Sequence, residues 1–218
     1  MSKRLKDTAS NDGASQQPFT LDDGIAALHA SELVVYPTET FYGLGADPYS
    51  KEGLRRLFEV KGRDKDRPVG LIAADATMAF SIFHEIHPLA RRLADAFWPG
   101  PLTIVMQPRD DFAPELCSPE GVSVRVSPNP VARTLAAGLG HPITATSANL
   151  SGQTPATTLD EARAAFGDKV KVYLEGGKLM AMRPSTVVVL SEDDWQILRP
   201  GVISETEIAA VLAGEALK

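Results

Sequence analysis

Amphipathic segments and short apolar runs alternate along most of this chain. Apolar residues recur at helical spacing in six segments. The predicted helices are 20–30, a segment that starts at Ser50, 88–97, 130–139, 159–166 and 205–213. Apolar runs of strand length predict strands at 33–36, 69–73, 102–106, 121–126, 143–146, 186–190 and 195–198. This order of elements is typical of a single α/β domain with a mixed β-sheet and flanking helices.

The N-terminal residues differ from the rest of the chain. Residues 1–18 are polar and lack hydrophobic periodicity, which predicts a disordered tail followed by one domain at 19–214. The tail lacks the apolar stretch of a signal peptide, and no apolar run approaches the ~20 residues of a membrane-spanning helix. No membrane segment is therefore expected. The single cysteine, Cys117, excludes a disulfide within the chain and fits a cytoplasmic location.

Charge narrows the kinds of ligand that the chain can bind. It has 22 Lys plus Arg against 28 Asp plus Glu, a net charge of -6. A protein that binds nucleic acid through its overall field is normally basic. Residues 60–68, VKGRDKDRP, nevertheless carry four cations: Lys61, Arg63, Lys65 and Arg67. These cations either complement the negative end of the preceding helix or hold a small anion, and their spacing alone favours neither interpretation.

Two further segments carry groups that could bind a ligand. Residues 38–45, TETFYGLG, follow a strand but lack the third glycine of a dinucleotide fingerprint, and a simple turn is the favoured interpretation. Residues 143–152, ITATSANLSG, run from a strand into a loop rich in hydroxyl groups, a common place for ligand-binding side chains. The sequence contains no GxxxxGK[ST] phosphate loop.

Covalent catalysis by the protein finds little support in the sequence. Cys117 lies in a loop flanked by prolines, without a histidine close to it in sequence, which argues against a nucleophilic thiol. No cysteine cluster for a metal exists, and no metal-ligating residues are predicted. A reaction whose nucleophile comes from a substrate fits the chain better.

Seven segments in order resemble the YrdC-like family of threonylcarbamoyl-AMP synthases. They are YPTETFYGLGADP (36–48), KGR (61–63), FWPGPLTIVM (97–106), VSVRV (122–126), ITATSANLSG (143–152), STVVVL (185–190) and ILRPGVI (197–203). The resemblance implies a twisted, mainly parallel or mixed sheet with flanking helices and a positively charged concave face. It also implies the short form of the family, without the extra C-terminal domain of longer relatives.

The resemblance implies a reaction as well as a fold. Family members condense L-threonine, bicarbonate or CO2 and ATP to threonylcarbamoyl-AMP and release pyrophosphate. The product passes to a transferase complex that modifies tRNA. Mg²⁺ is expected to accompany ATP, because it commonly shields phosphate oxygens.

The matching motifs imply roles for individual residues. The implied ATP-binding residues are Lys61, Arg63, Arg67, Ser147, Asn149 and Arg199. Lys61 and Arg63, from the KxR motif, are the implied catalytic cations. The implied threonine-binding residues are Thr40, Arg125 and Ser185. Arg125 suits the threonine carboxylate, because a guanidinium can make a two-pronged contact with it.

Three positions depart from the family pattern and keep alternatives open. Asp64 replaces a common proline, Pro184 a frequent glutamate and Val189 a frequent aspartate. One alternative is a divergent paralogue with altered or lost activity. Another is an RNA-binding module, or weak RNA binding alongside the enzyme, which the acidic composition makes less favourable.

Overall fold

The computed structural model describes residues 18–62, 69–180, 183–191 and 194–214. The α-helices in these ranges are α1 (Leu21–His29), α2 (Lys51–Lys61), α3 (Ala76–Phe80), α4 (Pro88–Phe97), α5 (Pro130–Leu139), α6 (Leu159–Phe166) and α7 (Glu205–Ala213). The strands are β1 (Val34–Pro37), β2 (Tyr42–Gly45), β3 (Gly70–Ala73), β4 (Leu102–Met106), β5 (Val122–Val126), β6 (Ile143–Ser147), β7 (Val172–Tyr173), β8 (Thr186–Ser191) and β9 (Asp194–Arg199). Short 3-10 helices occur at Pro114–Leu116 and Gly167–Lys169.

The helix ends follow local capping chemistry. Helix α2 starts where the Ser50 hydroxyl accepts a hydrogen bond from the Gly53 N–H at 3.0 Å. It stops at Gly62, whose φ of 56° is a left-handed conformation that glycine adopts without a Cβ penalty. Helix α6 begins with a capping box between Thr158 and Glu161. The predicted start of the helix at Ser50 and its end near Lys61 are therefore confirmed.

The strands form one nine-stranded sheet in the order β7-β1-β2-β6-β3-β5-β4-β8-β9. Three pairs of neighbours are parallel: β1 with β7, β3 with β5, and β4 with β8. The other pairs among the described strands are antiparallel. The predicted α/β domain with a mixed sheet is confirmed, although antiparallel pairing contributes more than the resemblance implied. Tight connections such as β1–β2 and β8–β9 explain this, because short loops can join only antiparallel strands.

Strand β2 was not expected, since a turn was the favoured interpretation of residues 38–45. Its residues Tyr42 and Gly43 pair with β1, and Gly43 also pairs with Ser147 of β6. Glycine is poor in strands by propensity, but pairing on both sides overrides that preference. The turn interpretation holds only for residues 38–41, which form the loop between β1 and β2.

The sheet separates two apolar cores. Val35 points into the larger core, to which α2, α4, α6 and α7 contribute buried side chains. Its neighbours Val34 and Tyr36 point into the smaller core beneath α1 and α5. This opposite placement of successive residues is the period of two of an extended strand. Both faces of the sheet are thus covered in part by helices.

Of the predicted disordered tail, residues 1–17 lie outside the described residues. No helix in the described ranges combines the length and the apolar character needed to cross a bilayer.

Replacing Gly201 with alanine is expected to destabilise the fold by about 1–3 kcal/mol, as overpacking typically does. A Cβ at this position would lie 2.3 Å from the Pro184 carbonyl oxygen and 2.4 Å from the Thr186 nitrogen. Both contacts are with backbone, which cannot rotate away. Urea unfolding of Gly201→Ala against the parent measures the effect.

The matched control is Gly53→Ala in α2, where an added Cβ would meet its nearest atoms at 3.4 Å, an ordinary contact. Alanine should stabilise this helical position by roughly 0.5–1 kcal/mol. Equal shifts of the unfolding midpoint in the two variants would contradict the packing argument.

Candidate active site

Small residues on three adjacent strands leave room for a cavity of about 340 Å³ above the sheet. Gly43 on β2, Ala145 on β6 and Gly70 on β3 all line it. Gly70 pairs with Ala145, so these two small residues lie next to each other. A Cβ on Gly43 would approach the Tyr36 ring to 3.0 Å. The volume lies at the small end of the range for ligand sites.

The loop between β1 and β2 brings Thr40 into the cavity. The Thr38 hydroxyl donates to the Phe41 carbonyl at 2.6 Å and accepts from the Thr40 N–H at 3.2 Å. These bonds form a tight turn of the kind that threonine hydroxyls stabilise. Thr38 and Thr40 are buried, and their hydroxyls lie 3.2 Å apart. Both threonines line the cavity.

Strand β5 positions Arg125. Val122, Val124 and Val126 are buried in the larger core, so by strand alternation Ser123 and Arg125 project from the opposite face. Both of these residues line the cavity. A guanidinium at the wall of a small cavity is suited to bind a carboxylate.

Arg125 forms an ion pair with Glu39. The Arg125 Nη1 donates to the Glu39 Oε1, and the Ser127 hydroxyl donates to the Glu39 Oε2 at 2.6 Å. Only 12% of the Arg125 side chain and 15% of the Glu39 side chain are exposed. Water therefore screens this pair much less than it screens a surface pair.

Another wall of the cavity comes from β4, the residue before β8 and the end of β9. The Ser185 and Thr103 hydroxyls lie 2.9 Å apart. Arg199 Nη2 donates to the Ser185 hydroxyl and to its carbonyl, both at 3.0 Å. Ser185, Thr103 and Arg199 all line the cavity. Burial, and next the positive charge of Arg125, lower the pKa of Arg199, which as an arginine still remains protonated.

Lys61, at the end of α2, is 2% exposed. Its Nζ donates to the Ser147 and Asn149 carbonyls, each at 2.7 Å, and lies 3.4 Å from the Asn149 Oδ1. The Lys61 carbonyl in turn accepts from the Ser151 N–H at 2.9 Å. Lys61 is therefore not a solvated charge at the end of the helix. Its ammonium fixes the loop that follows β6.

The same loop holds the predicted SxN pair. Ser147 lines the cavity. Asn149 is buried, and its amide nitrogen donates to the Leu150 and Gln153 carbonyls, both at 2.8 Å. Asn149 thus shapes the loop through bonds to its own backbone, while Ser147 faces the open space.

The structure brings together most of the predicted site residues that it describes. Those that line the cavity are Thr40, Arg125, Ser147, Ser185 and Arg199. Lys61 and Asn149 do not line it, but the Lys61 Nζ and the Asn149 N–H both donate to the Ser147 carbonyl. The remaining two, Arg63 and Arg67, lie outside the described residues. The ligands assigned to these residues stay predictions.

The three departures from the family pattern fall in different places. Pro184 lines the cavity, and its carbonyl accepts from the Val202 N–H at 3.1 Å. Val189 lies on β8, paired with Val105, and is not part of the cavity lining. Asp64 lies outside the described residues. Pro184 is therefore the departure that the structure places at the site.

Sequence reasoning missed several members of the site. Glu39, Ser127, Thr38 and Thr103 all bond to predicted site residues or to their partners. Glu39 and Thr38 lie inside the TETFYG segment, so that segment carried the signal for them. Thr103 also lies inside a matching segment, 97–106, but no role was assigned to it there. Nothing in the local sequence marks Ser127, because its contact with Glu39 joins distant parts of the chain.

The described side chains bear on metal binding and on the reactivity of Cys117. Within the described ranges no group of three or more His, Cys, Asp or Glu side chains is placed to hold a metal ion. Cys117 is not part of the cavity lining. Burial, and then the nearby Glu115, raise the pKa of its thiol, which disfavours the reactive thiolate.

Comparison with known proteins gives consistent matches over most of the chain. Residues 26–201 match the sequence model of the Sua5_yciO_yrdC family, which carries the description "Telomere recombination". A Mycobacterium tuberculosis protein is 36% identical over 193 residues, which is 88% of each chain. The threonylcarbamoyl-AMP synthase of Pyrococcus abyssi is 35% identical over 187 residues, covering 85% of this chain and 55% of the relative.

A solved structure is similar as well. The crystal structure of P. abyssi Sua5 complexed with L-threonine matches with a TM-score of 0.83 at 33% identity. The match covers 88% of this chain and 56% of that chain.

Lys61→Met is expected to destabilise the protein by roughly 1–3 kcal/mol, the usual cost of leaving buried polar groups without a partner. The methionine keeps most of the side-chain volume but removes the donor to the Ser147 and Asn149 carbonyls. Urea unfolding measures the change.

The control for Lys61→Met is Lys51→Met, at the exposed first residue of the same helix. This variant should remain within about 0.5 kcal/mol of the parent, as surface substitutions usually do. If both variants unfold at the parent's midpoint, the Lys61 ammonium does not hold the loop after β6.

Proposed function

The chain belongs to the Sua5/YciO/YrdC family, and on that premise we propose that it is a threonylcarbamoyl-AMP synthase. One observation carries the proposal. A single small cavity gathers Arg125, the hydroxyls of Thr40 and Ser185, and a second cation, Arg199. Beside it lies the loop that Lys61 fixes. This combination suits an amino acid with one carboxylate next to a phosphate-bearing partner.

The proposed reaction uses nucleophiles that come from the substrates. The neutral amine of L-threonine and bicarbonate give a carbamate and water. A carbamate oxygen then attacks the α-phosphorus of ATP. The bond from that phosphorus to the bridging oxygen breaks, and pyrophosphate leaves with its electron pair. Catalysis then consists of positioning and charge stabilisation, which requires no protein nucleophile.

Threonine would lie in the described cavity. Arg125 is placed to bind its carboxylate from the wall of the cavity. The hydroxyls of Thr40 and Ser185 line the space around it and can each donate or accept a hydrogen bond. Such groups are suited to a substrate that carries both a hydroxyl and an amine.

ATP would bind on the side of Ser147 and the loop after β6. Arg199, bonded to Ser185, lines the same cavity as Ser147. Arg63 and Arg67 are proposed to complete the phosphate-binding cations on the basis of their motif. Mg²⁺ would enter bound to ATP. The described lining of the cavity is rich in hydroxyls and arginines and poor in carboxylates, so phosphate oxygens and water would supply the ligands.

The wider role follows from the same family premise. The product is proposed to pass to a tRNA-modifying transferase complex, with bicarbonate as the source of the carbamoyl carbon. No feature of the described cavity specifically favours the RNA-binding alternative.

The direct test is pyrophosphate release with ATP, Mg²⁺, threonine and bicarbonate, leaving out one component at a time. Release that continues without threonine would contradict the proposal.

Arg125→Ala is expected to raise the KM for threonine at least tenfold and to change the KM for ATP far less, because the guanidinium binds the amino-acid carboxylate. Arg125→Lys should recover only part of the loss, since an ammonium cannot make the two-pronged contact. Steady-state kinetics with each substrate varied in turn provide the measurement. A similar rise in both KM values would show that Arg125 does not bind the threonine carboxylate.

Arg63→Ala is expected to slow turnover by a hundredfold or more, on the order of 3 kcal/mol, if it stabilises charge on the phosphates. A cation that only complements the dipole of α2 would contribute about 0.3–1 kcal/mol to stability and nothing to turnover. The comparison is threonine-dependent pyrophosphate release against the melting temperature.

Arg55→Ala, which removes an exposed cation from α2, is the control for Arg63→Ala. It should leave turnover at the parent's level. An Arg63→Ala variant that keeps full turnover and melts at a slightly lower temperature would show that Arg63 only complements the helix dipole.

A further inference from the structure

The ion pair of Arg125 and Glu39 leaves part of the guanidinium available. Glu39 takes the hydrogen bond from Nη1 alone. Within the described ranges, no other side chain forms an ion pair with Arg125. The Nε and Nη2 edge can therefore present two parallel N–H groups to a carboxylate, the geometry in which arginine binds this group best.

Glu39 holds the guanidinium from outside the cavity. Thr38 and Thr40, its neighbours in sequence, both line the cavity, but Glu39 is not part of the lining. Its side chain is only 15% exposed and contacts Arg125 on one oxygen and Ser127 on the other. A carboxylate in this place does not compete with a ligand for the open face of Arg125.

A chain of hydrogen bonds fixes Glu39 in turn. The Ser127 hydroxyl, which is fully buried, donates to Glu39 and accepts from the Asn129 N–H at 3.1 Å. Asn129 caps α5, because its side-chain oxygen accepts from the Val131 N–H at 2.9 Å. The carboxylate is thus connected through two residues to the start of a helix. Such a connection limits the rotation of the Glu39 side chain.

Charge gives Glu39 a second effect. Arg199 also lines the cavity, and within the described residues it has hydrogen bonds to Ser185 but no carboxylate partner. Without Glu39, two arginines with like charges would share a small, partly buried space. Arg199 would keep its hydrogen bonds to Ser185, so repulsion between the two cations would turn the unpaired Arg125 side chain away from the cavity.

We propose that Glu39 is a positioning residue for amino-acid recognition: it clamps Nη1 of Arg125 so that the Nε and Nη2 edge faces the substrate carboxylate. The inference rests on the proposed function, because threonine is the amino acid expected in the cavity. Glu39 itself touches neither substrate nor phosphate. It acts through Arg125, and its loss should weaken threonine binding selectively.

The test compares Glu39→Gln and Glu39→Asp with the parent. Glutamine keeps the shape but loses the charge, and aspartate keeps the charge on a shorter side chain. We expect Glu39→Gln to raise both the threonine Kd, measured by calorimetry, and the KM for threonine by about tenfold or more, the loss typical of one hydrogen bond to a charged group. The KM for ATP should stay within about twofold, and Glu39→Asp should fall between the parent and Glu39→Gln.

The control is Glu52→Gln, which removes a carboxylate that pairs with Arg55 and Arg56 on the outside of α2. It should bind threonine as the parent does. A merely structural role for Glu39 predicts a lower melting temperature with equal changes for both substrates. Unchanged threonine binding in a folded Glu39→Gln protein would overturn the proposal, and so would equal changes for threonine and ATP.

Two further measurements cover a Glu39→Gln variant that does not fold and a parent protein that does not release pyrophosphate. If Glu39→Gln does not fold, Ser127→Ala removes one donor to Glu39 and should raise the threonine Kd in the same selective way; no rise would overturn the proposal. Calorimetry also separates the positioning role of Glu39 from the proposed reaction. A parent that binds threonine without releasing pyrophosphate contradicts the proposed reaction, while the Glu39 variants still decide the positioning role. A parent that does not bind threonine overturns both.

Discussion

A lysine ammonium has three protons to donate, and inside a protein each must find an acceptor. Lys61 is buried at the end of α2, and the Ser147 and Asn149 carbonyls accept from it. The Ser151 N–H returns a hydrogen bond to the Lys61 carbonyl. Helix α2 and the loop after β6 are therefore fixed to each other in both directions. The position of Ser147 at the cavity, and with it the proposed ATP-binding side of the site, depends on this contact.

The other side of the cavity is built mainly from neutral hydroxyls. Thr38, Thr40, Thr103 and Ser185 bond to each other or to backbone carbonyls. A hydroxyl can change from donor to acceptor by rotation, at little cost. Arg125, in contrast, is held by a carboxylate whose own partners are fixed. The site thus combines one oriented cation with several adaptable groups, which suits a substrate whose carboxylate is constant and whose amine changes during the reaction.

Much of the fold could be predicted because its signals are local. Periodicity identified most helices, and Ser50 marked the start of α2. Strand β2 was missed, because Gly43 and Gly45 have weak strand propensity and are held by pairing with β1 and β6. Motif resemblance located the predicted site residues, five of which meet in the cavity. Residue type alone could not show that Lys61 is buried, or that Glu39 and Ser127 support Arg125, since those contacts span long stretches of sequence.

The order of strands has a consequence for how the protein is made. Thr40 lies near the start of the chain, whereas Ser185 precedes β8 and Arg199 ends β9, and all three line one cavity. Strand β8 reaches the sheet only by pairing with β4, and β9 only by pairing with β8. Contacts between such distant residues form late, because long loops must close first. A chain emerging from the ribosome therefore holds an incomplete pocket until β9 has been synthesised and has joined the sheet.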